Sequence, residues 1–177
     1  DLRIAVIEKA AGIGNHTLSG AVINPIAIKH LFPDVEDAQL PFSQPVKKES
    51  VLLLTKERAI QLPTPPTMRN RGNYIVSLSD VLRWLAQRAE ELGVMILPGF
   101  PATGLLVNGN RVTGVRTADR GRGLDGETLP SFQPGVDIKA RVTVLADGVH
   151  GLLTRAYLSW QAGTPQIPQI YAIGVKE

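Results

Sequence analysis

The chain has 177 residues, of which 44% are apolar and 20% are charged, as is ordinary for a soluble globular protein. Its net charge of +3, with no basic cluster, gives no support to nucleic-acid binding. There is no cysteine, which excludes a disulfide framework, a thiolate metal site and an iron–sulfur cluster within these residues. The three histidines lack metal-ligand spacing, and no apolar run reaches membrane-spanning length.

The chain begins with a short apolar run that ends in an acidic residue. Residues 4–7 predict a strand buried on both faces of a parallel sheet. Glu8 closes this strand, and in nucleotide-binding βαβ units an acidic residue at the end of the second strand accepts hydrogen bonds from the adenosine ribose. The Gly-rich turn expected about twenty residues upstream is absent, so we expect a piece of a larger nucleotide-binding protein. The alternative is an ordinary buried strand with a solvated charged end.

A glycine-containing loop and a short helix follow the first strand. Residues 9–21 include three glycines, which suit a backbone that passes close to a ligand, although a plain connecting loop would have the same composition. Asn24 and Pro25 predict a helix start, with Asn24 as the N-cap and Pro25 at the first helical position. Pro33 then ends the helix.

The segment from residue 33 to residue 73 is predicted to be an excursion from the parallel sheet. Residues 33–50 are acidic and broken by prolines, whereas residues 51–55 and 59–63 predict a hairpin turned through residues 56–58. Residues 64–73 form a loop rich in proline, arginine and asparagine.

A βα unit is predicted next. A short strand over residues 74–76 precedes a helix capped by Ser77 or Ser79, whose apolar positions recur at helical spacing until Gly93 ends it. Residues 94–97 then predict a buried strand. The order strand, helix, glycine, strand indicates a return to a parallel sheet.

The last part of the chain is predicted to insert a small antiparallel sheet before another parallel strand. Residues 105–107 and 111–117 flank an Asn-Gly turn, and residues 136–139 supply a third strand after a loop over residues 118–136. Residues 140–146 predict a second buried parallel strand that runs into a glycine-flanked turn. A helix over residues 152–160 and a strand over residues 171–175 complete the pattern.

The order of these motifs resembles the two-dinucleotide-binding-domain flavoproteins, and Ala146-Asp147-Gly148 is similar to their second FAD-contacting motif. A more specific resemblance, covering nearly the whole chain, is to the electron transfer flavoprotein–ubiquinone oxidoreductase family. It rests on four segments of the sequence: residues 6–21, 72–76, 146–151 and 171–177. The fold class that this implies is α/β, a partial Rossmann-like FAD/NAD(P)-binding parallel sheet with an antiparallel three-stranded insert and a further β-rich excursion.

The resemblance also implies a function, cofactors and partners. The parent enzyme would pass electrons from reduced electron transfer flavoprotein, through FAD and a [4Fe–4S] cluster whose ligands lie outside this chain, to ubiquinone. It would associate peripherally with a membrane, on the matrix side of the mitochondrial inner membrane in a eukaryote or at the cytoplasmic membrane in a bacterium. The expected domain organisation is residues 1–32 and 74–177 as two parts of the FAD-binding domain, the second with its insert at about 105–139, and residues 33–73 as a quinone- or membrane-facing region. For the hairpin in that region, packing on its own domain is an equal alternative.

By the same resemblance, a set of residues would contact FAD while the flavin supplies the redox chemistry. Glu8 would hold the adenosine ribose with Lys9 beside it, the loop with His16 and Ala21 would approach the flavin, and backbone groups around Ala102 would approach the adenine. The full set of cofactor-binding candidates is Glu8, Lys9, Thr17, Ser19, Gly20, Ala102, Ala146, Asp147, Gly148 and Gly151. No catalytic acid, nucleophile or metal ligand is expected.

The sequence departs from the family pattern in three ways. The N-terminal Gly-rich motif is absent, as are the cluster cysteines and the later Gly/Asp motif of the flavin site. The family usually has arginine where Ser77 stands. Two rival interpretations remain: a related FAD-dependent reductase or monooxygenase, such as a geranylgeranyl-reductase-like enzyme, and a non-catalytic binding module that retains the fold. In the main interpretation the piece alone is inactive.

Overall fold

The computed structural model describes residues 2–17, 20–42 and 44–161. The chain divides into two compact units, Asp1–Gly99 and Phe100–Glu177, which are described separately.

The first unit contains the predicted parallel pair of strands. Strand β1 (Ala5–Glu8) pairs in parallel with β7 (Met95–Pro98), so that Glu8 lies opposite Pro98 at the carboxyl ends of both strands. Helix α2 (Leu78–Glu91) precedes β7 and packs against it, which confirms the predicted return from a helix to a parallel sheet, but the strand predicted before the helix lies in a separate antiparallel sheet. The expected burial of β1 on both faces is wrong, because Ile4 and Val6 are exposed. Among the described residues β7 is the one strand that pairs with β1, so the apolar run lacks the cover that a wider sheet would give it.

A second sheet in this unit is antiparallel. Strands β2 (Ala21–Ile23) and β3 (Gln44–Pro45) flank β6 (Tyr74–Val76) in the order β2-β6-β3. Val76 is the most deeply buried large side chain, with 1% of its surface exposed. Of these three strands the sequence predicted β6 and missed β2 and β3.

The helix boundaries follow their capping residues. Asn24 accepts a hydrogen bond at Oδ1 from the Ile26 N–H at 3.1 Å, but its prediction as the N-cap is wrong, because α1 (Ile26–Leu31) begins one residue later than predicted and Pro25 is its N-cap. Ser77 is the N-cap of α2 and accepts from the Asp80 N–H at 3.4 Å. The helix ends before Gly93, whose φ of +83° is the left-handed conformation expected after a helix C-terminus.

The excursion carries the predicted hairpin. Strand β4 (Val51–Leu54) pairs with β5 (Ala59–Leu62), and the Thr55 hydroxyl closes the turn through Arg58. Two short 3-10 helices, Asp37–Gln39 and Pro66–Met68, lie before and after it. Most of the hairpin's apolar side chains are exposed, including Leu53 at 51% and Leu54 at 72%.

The second unit contains the predicted three-stranded insert. Strand β9 (Arg111–Thr117) lies between β8 (Ala102–Asn108) and β12 (Asp137–Lys139), and both pairings are antiparallel. The expected loop over residues 118–136 is wrong, because it contains a further hairpin of β10 (Arg120–Arg122) and β11 (Thr128–Gln133). One contact crosses the hairpin, from the Arg122 guanidinium to the Phe132 ring at 4.9 Å, and Arg122 also forms a local ion pair with Asp119.

Residues 140–148 differ from the prediction of a buried parallel strand. The structure assigns them no strand, and Val142 and Val144 are 78% and 82% exposed. Their apolar alternation is strand-like, but a strand also needs a hydrogen-bonded neighbour, and none of the described strands pairs with this segment. The helix expected after it is confirmed as α3 (Leu152–Trp160), which packs against β8 and buries Leu153. The strand expected over residues 171–175 lies outside the described residues.

Candidate cofactor-binding elements

The Glu8 side chain folds back onto the backbone that follows β1. Its Oε1 accepts a hydrogen bond from the Ala10 N–H at 2.7 Å, and the carbonyl of the buried Ala10 accepts from the Gly99 N–H at 2.7 Å. These two bonds join the turn after β1 to the turn after β7. The carboxylate is therefore held at the carboxyl edge of the parallel pair, half-buried, with Lys9 beside it and exposed.

The loop after Glu8 rests on the first turn of α2. The Ser79 hydroxyl donates to the Gly14 carbonyl at 3.0 Å and lies 3.4 Å from the Thr17 carbonyl, while the Thr17 N–H donates to Gly14. Gly14 has a φ of +83°, and a Cβ there would lie 2.9 Å from the Ser79 carbonyl oxygen. Contact with α2 thus fixes the path of this loop.

The other residues expected in this loop are placed differently. His16 is exposed, Gly20 is exposed with a φ of +71°, and Ala21 begins β2. Ser19 lies outside the described residues. From the sequence, Ser79 was predicted only as a possible helix cap. Its contact with Gly14 was missed because no local motif joins residues 65 positions apart.

The Ala146-Asp147-Gly148 motif leads directly into α3. The Asp147 carboxylate accepts hydrogen bonds at Oδ2 from the Leu153 N–H at 2.8 Å and the Thr154 N–H at 3.2 Å, and at Oδ1 from the Thr154 hydroxyl. Partial loss of solvent acts to raise the pKa of Asp147, but the hydrogen bonds from Thr154 and Leu153 outweigh it and the pKa lies below its ordinary value. The ionised Asp147 carboxylate therefore accepts hydrogen bonds from N–H groups in the first turn of α3 that have no partner within the helix.

The small residues of the second unit have distinct surroundings. Ala102 begins β8 opposite the buried Thr117, whereas Ala146 and Gly148 are exposed and Gly148 has a φ of +78°. Gly151 is buried, and a Cβ there would lie 2.2 Å from Asp147 Oδ1. The structure thus brings Asp147 and Gly151 together, while Ala102 belongs to the insert.

The hydrogen-bonding groups of the described residues suit the adenosine ribose of a dinucleotide better than its pyrophosphate. An acceptor-only carboxylate at the end of a parallel strand, as Glu8 provides, suits the two hydroxyls of an adenosine ribose. A pyrophosphate is commonly held at a free helix N-terminus. In the described part of the chain, first-turn N–H groups of α1, α2 and α3 already donate hydrogen bonds to side-chain oxygens of Asn24, Ser77 and Asp147. The described residues fit the ribose and leave the pyrophosphate without a helix N-terminus.

The described residues contain neither a metal-binding cluster nor a membrane-spanning helix. Among residues 2–17, 20–42 and 44–161, no group of three or more histidine, aspartate or glutamate side chains is arranged to hold a metal ion. None of the helices in those ranges has the length and apolarity needed to cross a membrane.

Curated relatives match the chain from end to end. Proteins named electron transfer flavoprotein-ubiquinone oxidoreductase, mitochondrial, are 40% identical to it over 179 residues in Dictyostelium discoideum and 40% identical over 181 residues in Homo sapiens. A probable member in Acinetobacter baylyi is 40% identical over 183 residues. Each match covers 100% of this chain but only 30%, 29% and 32% of the respective relatives. No protein-family model matches the chain.

Solved structures support the fold. The crystal structure of FqzB aligns with a TM-score of 0.56 at 19% identity, over 90% of this chain and 33% of that one. The structure of THI4 from Thermovibrio ammonificans aligns with a TM-score of 0.50 at 14% identity, over 90% of this chain and 53% of that one. The predicted α/β fold, a partial Rossmann-like sheet with antiparallel additions, is confirmed.

Proposed function

We propose that this chain, which is homologous along its whole length to about 30% of electron transfer flavoprotein–ubiquinone oxidoreductases, is an FAD-binding segment of such an enzyme. The identity of 40% spread over the entire chain carries the proposal. The Glu8 carboxylate at the carboxyl edge of a parallel strand pair supports it independently, because that is where a Rossmann-like sheet holds a ribose. The parent is then an oxidoreductase that takes electrons from reduced electron transfer flavoprotein and delivers them to ubiquinone.

In this proposal the chain's residues bind and orient the cofactor. Bound FAD accepts and donates the electrons. Glu8 accepts from the ribose hydroxyls through its carboxylate, with Lys9 adding a nearby positive charge. Thr17, Ser19 and Gly20 are further candidate contacts, and Ser79 holds the loop at Gly14 and Thr17. Ala102 and the backbone of the turn at Ala146, Asp147, Gly148 and Gly151 supply the other candidate contacts, from the second unit. The [4Fe–4S] cluster would take its ligands from outside this chain, because the chain has no cysteine.

The β4–β5 hairpin supplies the proposed membrane- and quinone-facing surface. Leu52, Leu53, Leu54, Ile60 and Leu62 are all at least 40% exposed. Contiguous exposed apolar side chains on one hairpin are typical of a surface that meets a bilayer or an apolar ligand. We therefore assign the hairpin to peripheral contact with the membrane that holds the quinone.

An electron-transfer assay on the full-length protein tests the proposed function. The flavin-loaded protein is mixed with reduced electron transfer flavoprotein and a soluble ubiquinone analogue. Oxidation of the electron transfer flavoprotein and reduction of the ubiquinone analogue are then measured together. We expect coupled turnover by the full-length protein and none by the 177-residue chain. A flavin-loaded full-length protein that oxidises no electron transfer flavoprotein would overturn the assignment and favour a different FAD-dependent reductase.

A further inference from the structure

The Asp147 carboxylate is directed at the protein's own helix α3. Both of its oxygens accept hydrogen bonds, Oδ2 from the Leu153 and Thr154 N–H groups at 2.8 and 3.2 Å and Oδ1 from the Thr154 hydroxyl. A carboxylate offers about four lone-pair positions, so these three bonds leave room for at most one more. A ribose hydroxyl could be bound by this side chain only by competing with the cap of α3.

The electrostatics at this position also oppose a ligand role. The N-terminus of an α-helix attracts negative charge, and a capping carboxylate there occupies the place that a phosphate would take. Asp147 already supplies that negative charge to the nine-residue α3. A cofactor pyrophosphate brought to the same turn would therefore meet an anion.

Gly151 and Gly148 shape the turn around this carboxylate. The Gly151 N–H donates to the Gly148 carbonyl at 3.0 Å, closing the turn, and Gly148 has a φ of +78°. A Cβ on Gly151 would lie 2.2 Å from Asp147 Oδ1, so the absence of a side chain at 151 gives the carboxylate its position. Because Leu153 is buried, α3 is anchored in the second unit, and the cap transmits that anchoring to the turn.

We propose that Asp147 is a positioning residue, not a cofactor ligand: it ties the Gly148–Gly151 turn to α3 through Leu153 and Thr154. The hydrogen bonds of Asp147 by themselves support this positioning role. Its consequence for FAD rests on the proposed function. Cofactor contacts from the turn are made by its backbone, and the carboxylate acts on affinity only by holding that backbone in place.

Amide hydrogen exchange on the 177-residue chain tests the tie without any cofactor. Thr154→Val removes the hydroxyl donor at nearly constant shape, Thr154→Ser retains it, and Gly151→Ala places a methyl group against the carboxylate. Gly104→Ala is the matched control, because a Cβ there meets nothing within 4 Å. We expect faster exchange of the Leu153 and Thr154 amides in Thr154→Val and Gly151→Ala, and wild-type exchange in Thr154→Ser and Gly104→Ala. Unchanged exchange in both disrupted variants would overturn the proposal.

FAD titration of the full-length protein then separates positioning from direct contact. A positioning role predicts roughly tenfold weaker FAD binding in Thr154→Val, the scale of one charge-assisted hydrogen bond, with recovery in Thr154→Ser. It also predicts that Asp147→Ala combined with Thr154→Val is no worse than Asp147→Ala alone. Weaker binding in Asp147→Ala with no change in Thr154→Val or Gly151→Ala would identify a direct ligand and overturn the proposal. If the wild-type protein binds no FAD, the proposed function fails, and the exchange result alone decides whether Asp147 holds the turn.

Discussion

The contact between Gly14 and helix α2 makes a quantitative prediction about stability. A Cβ at Gly14 would lie 2.9 Å from the Ser79 carbonyl oxygen and 3.0 Å from its Cα, which are backbone atoms that cannot rotate away. Gly14 also has a φ of +83°, a conformation that costs an alanine about 1–2 kcal/mol. Forcing a methyl group into such a contact costs about 1–3 kcal/mol more. Gly14→Ala should therefore lower the free energy of unfolding by about 2–5 kcal/mol.

Gly72→Ala is the matched control for this substitution. Gly72 lies in the same unit and has nearly the same φ, +88°, but a Cβ there would meet nothing within 4 Å. It should show the conformational cost alone, about 1–2 kcal/mol. The effect of alanine on the unfolded chain is common to both variants and cancels in the comparison. Urea unfolding of the 177-residue chain gives both values.

The difference between the two variants isolates the packing of the loop on α2. We expect Gly14→Ala to be less stable than Gly72→Ala by about 1–3 kcal/mol. Equal destabilisation would show that the loop does not rest on Ser79 in solution. The path assigned to the loop over helix α2 would then be wrong.

Three further predictions concern the core, an ion pair and the hairpin. Val76→Ala should lower the free energy of unfolding, measured in urea, by about 1.5–3 kcal/mol because two buried methyl groups are lost. Val22→Ala, on the neighbouring strand and 46% exposed, should lower it much less, and similar losses would contradict the assigned burial. The Arg116 guanidinium donates hydrogen bonds to Asp137 and lowers the pKa of that carboxyl, so Asp137→Asn should be less stable than wild type at pH 7. This stability difference should close as the pH falls below about 4, where Asp137 becomes protonated, and a difference independent of pH would disprove the pairing. Leu53→Asp in the full-length protein should weaken sedimentation with anionic lipid vesicles, and unchanged sedimentation would remove the hairpin from the membrane surface.

The elements that the sequence predicted well have local signals. Helix α2 has helical spacing, a serine cap and a terminal glycine, and each of these was found in place. The Asn-Gly turn identified the β8–β9 hairpin, and the apolar runs identified β4 and β5. The placement of Glu8 at the end of β1 followed from the boundary of a single apolar run.

The elements that were missed depend on distant partners. In the β10–β11 hairpin the contact that crosses between the strands is Arg122 over the Phe132 ring, and no sequence motif links these two residues. Residues 140–148 have a strand-like pattern but no strand pairs with them in the described part of the chain, and pattern alone cannot report a partner. The hydrogen bond of Ser79 with Gly14 is likewise a tertiary contact, between residues 65 positions apart that no motif links.

The flavin content of the full-length protein decides whether this chain is part of an FAD site, and Glu8 is the residue to vary. Wild-type protein should purify with a flavin absorption spectrum. Glu8→Ala should bind FAD more weakly by about 1–3 kcal/mol, the range for a lost charge-assisted hydrogen bond. Glu57→Ala, in the hairpin turn, serves as the control and should bind as wild type does. A full-length protein without flavin, or a Glu8→Ala variant with unchanged FAD affinity, would contradict the assignment of this chain to an FAD site built on β1.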